Sequence, residues 1–541
     1  VNGGATHEVT NQVAPRADHD AFATDPWLLA AVERAGIPDI ASAASALGRF
    51  VGSAEGLHHA ELANRHLPEL RTHDRAGRRI DEVEYHPSYH ALMDRALGAS
   101  VHSIAWKRKS GGFSAHASLF YLWNQLEQGT ACPVTMTFAS MPIFAHAPEI
   151  ERRWKPRVLE DAYDPRPVPF WEKHGVTVGM AMTEKQGGSD LRSVQTRATP
   201  DGDSYLLTGH KWFCSAPMSD AFFTLARLPE GVTCFFVPRS LDDGTRNPFL
   251  IQRLKDKVGN RSNASSEIEY RDTRAWLVGG KGRGIATLIE MAHHTRFDIV
   301  VGVAGMMRAA LDSAVHHARH REAFGRRLVE HSLMANVLAD LAIETEAAAL
   351  LAFRLAQAFD RGAAGNEREA ALQRVLTPIA KYWLCKRLTP VALEAMECLG
   401  GNGYVEESAA ARLYREAPLN GIWEGSANVI CLDVLRALGR SEDAFSALAN
   451  EIGLAPEPRI DRTLGLAAMR LGDPATAEPG ARWIVESLAT CMQASLMMRF
   501  SDPGAAEAFC VSRVEAPGRM LGTLPGATDF RAIVERAART A

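Results

Sequence analysis

Four segments of this 541-residue chain carry residue types whose spacing could do chemistry. The first, Met180-Ala181-Met182-Thr183-Glu184-Lys185-Gln186-Gly187-Gly188-Ser189-Asp190, sets a glycine pair between hydroxyls. Such a pair frees backbone N–H groups and lets a planar or anionic ligand come close. In the second, Gly209-His210-Lys211-Trp212-Phe213-Cys214-Ser215, adjacent aromatics on a strand point to opposite faces, so one can pack inward while the other covers a flat ring. The third, Arg321-Glu322-Ala323-Phe324-Gly325, falls near a helix end and offers a guanidinium suited to a phosphate. The fourth runs from Leu399-Gly400-Gly401-Asn402-Gly403-Tyr404 to Ile422-Trp423-Glu424-Gly425-Ser426-Ala427-Asn428. There Glu424 sits in a tight loop just before a helix N-terminus, a place that favours anions.

Taken singly, each segment has a plainer reading: a glycine turn, core aromatics, a surface arginine, a helix cap. A fifth, Gly279-Gly280-Lys281-Gly282-Arg283-Gly284, has the look of a dinucleotide loop but lacks both the GxGxxG spacing and a βαβ setting. A flexible crossover turn is the better account of it.

The elements that must position these residues follow from texture. Residues 1–40 suggest an extended arm with a short helical run, Trp27 to Arg34. Apolar residues at helical spacing make 41–179 mainly helical. From 180 to 283, short apolar runs between turn signals predict a compact β unit, sandwich or barrel. Residues 284–439 lack proline until Pro378 and repeat apolar residues at helical spacing, which predicts a bundle of four or five long helices. The Ala-rich stretch 440–541, broken by seven prolines, suggests a separate helical appendage. The expected fold class is mainly α, multidomain α+β.

A net charge of −4 gives the whole chain no nucleic-acid footprint, so any basic patch must be local. Eight cysteines without a CxxC pair speak against zinc, and no metal site is expected. The start lacks an apolar signal core, and no run reaches about 18 uninterrupted apolar residues. A cytoplasmic protein with reduced thiols is the expectation.

Together, and in this order, the segments resemble the acyl-CoA dehydrogenase superfamily: TExxxGSD, GxKxWIT/S, RxxFG, GGxGY and the EGT/EGS loop, over about residues 45–440. The closest resemblance is to its AidB-like, DNA-alkylation-response branch. It rests on Thr6-His7-Glu8-Val9 with Asn11-Gln12, on Glu184 to Asp190, on Arg253-Leu254-Lys255-Asp256-Lys257 with Gly259-Asn260-Arg261-Ser262-Asn263, and on the tail beyond the bundle.

The resemblance implies α,β-dehydrogenation of an acyl-CoA thioester, with FAD as cofactor and Glu424 as the base. It implies FAD contacts from Met182, Thr183, Gly188, Ser189, Trp212, Phe213, Cys214 and Ser215. Arg321, Phe324, Gly400 and Gly401 would serve a neighbour's FAD, and Ile422, Trp423, Gly425, Ser426 and Asn428 its adenine and pyrophosphate side. A shared cofactor site implies a homotetramer. The electron acceptor stays open, as do an acyl-CoA oxidase and a flavin-bearing DNA-binding protein with only vestigial activity. Departures are Glu397, where the family commonly has Gln, Ser426 in place of Thr, and bulky Trp423 beside the base.

AidB-like proteins are assigned DNA binding through the tail, which here would fall to Arg436, Arg440, Arg499, Arg513 and Arg519. Against it, residues 441–541 carry ten arginines, no lysine and thirteen carboxylates, a net of −3.

Overall fold

The computed structural model describes residues 6–440 and 442–538. Helices dominate up to Val158, beginning with Pro26–Arg34, where Asp25 caps two N–H groups ahead of a proline at the first helical position. A hairpin, Glu69–His73 with Arg79–Glu84, interrupts them and was not evident from the pattern. Helix α1 (Gly112–Leu126) is buried along nearly its whole length, and α2 (Ala131–Ala139) follows it.

The expected β unit is a barrel. Its strands are β1 (Val178–Ala181), β2 (Arg197–Asp201), β3 (Ser204–Ser215), β4 (Ala221–Leu228), β5 (Gly231–Pro238), β6 (Phe249–Leu254) and β7 (Ser265–Val278). They pair in the order β1-β4-β2-β3-β7-β5, with β6 on β7, and antiparallel pairing of β4 with β5 closes the path. Phe222 and Phe235 pack among strand residues, on Phe249 and Tyr205, while their strand neighbours Phe223 and Phe236 point to the other face and pack on Phe144.

The bundle consists of α3 (Gly284–His320), α4 (Ser332–Ala363) and α5 (Glu367–Cys398), followed by α6 (Ala409–Asn420) and α7 (Ala427–Arg440). α3 crosses α1 backbone to backbone at Gly305, where a Cβ would meet the Tyr121 carbonyl oxygen at 2.3 Å. By length and composition α3 could cross a membrane, but 78% of its apolar window is buried by protein. α5 runs unbroken through Pro378, which is buried, and Pro390, which is half-buried between buried Leu388 and Val391, so packing holds the helix where propensity would end it.

The tail does not stand apart, which corrects the expectation. Helix α8 (Ala481–Phe500) buries Ile484, Val485, Leu488, Met492 and Met497 in the same core as the bundle. Trp383 Nε1 of α5 donates to Gln493 Oε1 at 2.7 Å, and Arg536 pairs with buried Glu346 of α4. Proline frequency measured where helices stop; it could not show that their apolar faces dock on helices a hundred residues earlier.

Candidate active site

The glycine turn and the aromatic strand are fastened by a buried ion pair. Lys211 Nζ of β3 lies 2.7 Å from Glu184 Oε1, and both side chains are sealed from solvent. The Glu184 carboxylate also accepts from Thr196 Oγ1, the Gln195 N–H and Gln186 Nε2. Next to this pair, the Trp212 N–H donates to the Thr183 carbonyl at 2.8 Å. The turn itself needs glycine at 188, where a Cβ would meet Thr183 Oγ1 at 2.5 Å. Met182, Thr183 and Gly188 are half-buried and Ser189 is exposed, so the turn forms an open lip on the barrel.

A bulge changes the wall that follows. The β3–β7 register shifts between Lys211 and Cys214, and both of those side chains point inward. The two residues between them are pushed out together. Trp212 is half-buried and Phe213 is 49% exposed, with Lys255 Nζ 3.6 Å from one ring centroid and 4.5 Å from the other. Strict alternation, with one aromatic packed inward, therefore does not hold. Nor does a cofactor contact from the Cys214 side chain, which is fully buried with its thiol pushed up to about 12 by desolvation.

Beyond the bulge, half-buried Ser215 faces Ser265 across 3.4 Å. Lys257 Nζ donates to Ser265 Oγ and to the Asn263 carbonyl, and burial lowers it to about 8. Cys132 of α2 sits against Ser215 and Asn263, within electrostatic reach of Glu424. Neither Cys132 nor Lys257 was singled out as a site residue: Lys257 lies in a segment that marked the resemblance only, Cys132 in none, and the two meet only in the folded chain.

Glu424 occupies a strained loop. Its φ is +56°, in the left-handed region that a glutamate rarely adopts. Two cations pin the loop's carbonyls: Arg296 Nε of α3 donates to Glu424 O at 2.9 Å, and Lys381 Nζ of α5 donates to Gly425 O at 2.6 Å. Arg296 is held in turn by Asp433. The carboxyl oxygen Oε2 has no solvent contact and no hydrogen-bond partner among the described residues. Desolvation raises the Glu424 pKa, against the Thr295 hydroxyl and the charges of Arg296 and Lys381. The residue as a whole is half-buried, but a carboxyl group with one oxygen sealed from water and unpartnered is suited to taking a proton from a bound molecule.

Around it, Trp423 Nε1 donates to Asn420 Oδ1 at 3.3 Å, and Asn428 Oδ1 accepts from Arg482 Nε of α8 at 2.8 Å. Ile422, Ser426 and Asn428 are exposed, while Trp423 and Gly425 are half-buried. Arg321 follows the end of α3, with Phe324 exposed to 97% in the turn after it. Gly400 and Gly401 open a second exposed turn after α5.

Three domain families match the chain in succession. Residues 11–165 match the adaptive response protein AidB N-terminal domain, 179–273 the acyl-CoA dehydrogenase middle domain, and 282–439 the acyl-CoA dehydrogenase C-terminal domain. AidB of Escherichia coli strain K12 is 43% identical over 520 residues, 95% of each chain. The chain belongs to the acyl-CoA dehydrogenase family, in its AidB branch. Acyl-CoA dehydrogenase family member 11 of Caenorhabditis elegans is 28% identical over 80% of this chain and 73% of its own. The structure of ACDH-11 from that organism, in complex with C11-CoA, superposes with a TM-score of 0.84 at 24% identity, over 96% of both chains.

Acyl-CoA dehydrogenases are FAD-dependent oxidoreductases. The residues present fit that cofactor. The lip at Gly188 has no room for a side chain, Phe213 offers a half-exposed ring on the neighbouring strand, and Glu424 keeps a buried oxygen without a partner.

The tail arginines divide. Arg513 is buried between Asp340 and Glu344, and Arg499 pairs with Glu451 at 2.8 Å. Both are engaged inside the AidB-branch fold and do not offer their charge to a phosphate, which corrects the sequence expectation for them. Arg436 and Arg519 are exposed and have no carboxylate partner among the described residues. Arg440 ends α7, but its side chain lies outside the described residues.

Proposed function

We propose that this chain catalyses FAD-dependent α,β-dehydrogenation of an acyl-CoA thioester, with Glu424 as the base that removes the α-proton. The observation that carries the reading is the unpartnered, desolvated Oε2 of Glu424 on a loop fixed by Arg296 and Lys381. An α-proton is weakly acidic, so its abstraction needs a carboxylate stripped of water and held still. Burial supplies the first condition and the two pinned carbonyls supply the second. Bound FAD supplies the hydride acceptor that amino-acid side chains lack.

In this reading Met182, Thr183, Gly188, Ser189, Trp212, Phe213 and Ser215 hold the flavin within one subunit. Arg321, Phe324, Gly400 and Gly401 serve the FAD of a neighbour in a homotetramer, and Ile422, Trp423, Gly425, Ser426 and Asn428 face its adenine and pyrophosphate side. Trp423 narrows the acyl channel beside the base. The test is anaerobic titration of the FAD-loaded protein with acyl-CoAs of graded length and branching, including a C11 chain. Bleaching by at least one thioester supports the reading, and no bleaching by any of them defeats it.

A second reading, weak binding of double-stranded DNA without sequence preference, is favoured by the AidB relationship and by exposed Arg436 and Arg519. Phosphate contacts alone give binding that falls steeply with salt. Arg436→Ala with Arg519→Ala should weaken binding at low salt, whereas Arg513→Ala should act only through stability. Absence of binding by the wild type at low salt ends this reading.

A further inference from the structure

The N-terminal arm is a strap laid antiparallel along the last turns of α3. Arg16 Nη1 pairs with Asp312 Oδ2 at 2.9 Å, and His316 Nε2 donates to the Ala14 carbonyl at 2.9 Å. At the end of the helix the strap grips the turn beyond it. Asn11 Nδ2 donates to Glu322 O at 2.8 Å, and Asn11 Oδ1 accepts from the Glu322 N–H at 2.9 Å. The Asn11 carbonyl accepts from Arg321 Nη1. The next residue reaches a different turn: Gln12 Oε1 accepts from Asn402 Nδ2 at 3.3 Å.

Two consecutive residues thus couple turns that lie some eighty residues apart in sequence. No other hydrogen bond or ion pair among the described residues joins 321–327 to 399–405. Asn11 stands at φ +54°, a left-handed conformation that asparagine tolerates better than most residues. The way it holds Arg321 matters. A carbonyl orients the guanidinium without neutralising it, and no carboxylate among the described residues lies within ion-pair distance of Arg321. Its charge remains available to an anion. Phe324 in the same turn and Tyr404 in the other, at 78% exposure, both leave their rings exposed.

We infer that Asn11 and Gln12 are positioning residues. They hold Arg321 and the Gly400–Gly401 turn as one preformed platform for the adenosine-diphosphate half of an FAD carried by a second copy of the chain. This rests on the shared-cofactor reading above and extends it to residues outside the dehydrogenase domains. Fixing two exposed turns before the ligand arrives removes the cost of ordering them from binding.

The experiment is fluorescence titration of the full-length apo-protein with FAD, comparing wild type, Arg321→Ala, Gln12→Ala and Asn11→Gly. The last variant keeps the positive-φ backbone and its carbonyl but deletes the amide clamp. Two lost neutral hydrogen bonds correspond to about a tenfold rise in the dissociation constant. The inference expects Asn11→Gly to show that rise and Gln12→Ala a smaller one. Apo-protein melting temperature and oligomer size should not move, and the absorption of bound flavin should not shift, since the ring is held elsewhere. If Arg321→Ala weakens FAD binding and Asn11→Gly does not, the strap has no such role. A loss in Asn11→Gly that is accompanied by a lower apo melting temperature or a smaller oligomer makes the strap merely structural and overturns the inference as well. If wild type takes up no FAD, or Arg321→Ala binds it as wild type does, the shared-cofactor reading itself fails.

Discussion

Lys211 and Glu184 meet at 2.7 Å with neither side chain reaching water, and that contact joins the glycine turn to the aromatic strand. Their titration shifts oppose each other. Desolvation lowers Lys211 to about 8, whereas Glu184, pushed up by burial, is brought to about 2 by the lysine charge and its other donors. The ionised pair is the state we assign, because the carboxylate collects donors from Thr196, Gln195 and Gln186 that a protonated acid would not need. Lys211→Met should cost about 3–5 kcal/mol by stranding a buried carboxylate, and Glu184→Gln in the same chain should recover part of it. Denaturant titration measures both; a single-variant loss below about 1 kcal/mol would contradict the assignment.

A comparable loss is expected where the tail docks. Arg513→Ala leaves buried Asp340 without its guanidinium and removes one of the two that hold Glu344. It should destabilise the protein by about 3 kcal/mol. Exposed Arg436→Ala should stay within about 0.5 kcal/mol of wild type. Equal effects of the two, measured by denaturant unfolding, would mean that the arginine cluster does not anchor the tail.

Acid should loosen the same anchor. Desolvation alone would raise Glu344, but Arg387 and Arg513 hold it at about 2, and Glu451 is held at about 2 by Arg354 and Arg499. Both folded values lie below the ordinary 4.5, so their stabilisation is complete above about pH 4.5 and is lost as pH falls toward 2. Unfolding midpoints measured from pH 5 to pH 3 should fall for wild type and fall less steeply for Glu344→Gln. Parallel slopes would exclude this contribution.

Much of the architecture was legible because local patterns carry it: proline-free helical spacing over α3, short apolar runs across the barrel, and the five motifs in order. What escaped lies in three dimensions. The bulge between Lys211 and Cys214 adds a residue that no period of two anticipates, so Phe213 and Trp212 emerge together. Arg513 looks like any tail arginine until Asp340 and Glu344, some 170 residues earlier, close around it. Cys132 and Arg482 carry no motif at all, Lys257 closes one with no assigned role, and all three acquire meaning only from their neighbours. The Glu424 loop was visible as a glycine-flanked carboxylate, but its positive φ and its two cationic anchors were not.

Desolvation of the Glu424 carboxyl also sets a pH dependence. Its pKa is raised above the ordinary 4.5 chiefly by desolvation, and only the ionised form accepts a proton. The rate of thioester-driven flavin reduction should therefore climb with pH through an ionisation above 4.5, and the limb should vanish in Glu424→Gln. A stopped-flow pH profile decides this; a wild-type rate that is flat down to pH 4.5 would place the proton elsewhere.

The central claim, that Glu424 is the base, is tested most directly by anaerobic reduction of FAD-loaded Glu424→Gln against wild type, using the thioester that bleaches wild type fastest. The substitution preserves size and removes only the proton acceptor. FAD content, melting temperature and thioester affinity should match wild type, while the reduction rate drops by about 10²–10⁴-fold. Reduction at the wild-type rate by a variant that still binds FAD and thioester would contradict the claim.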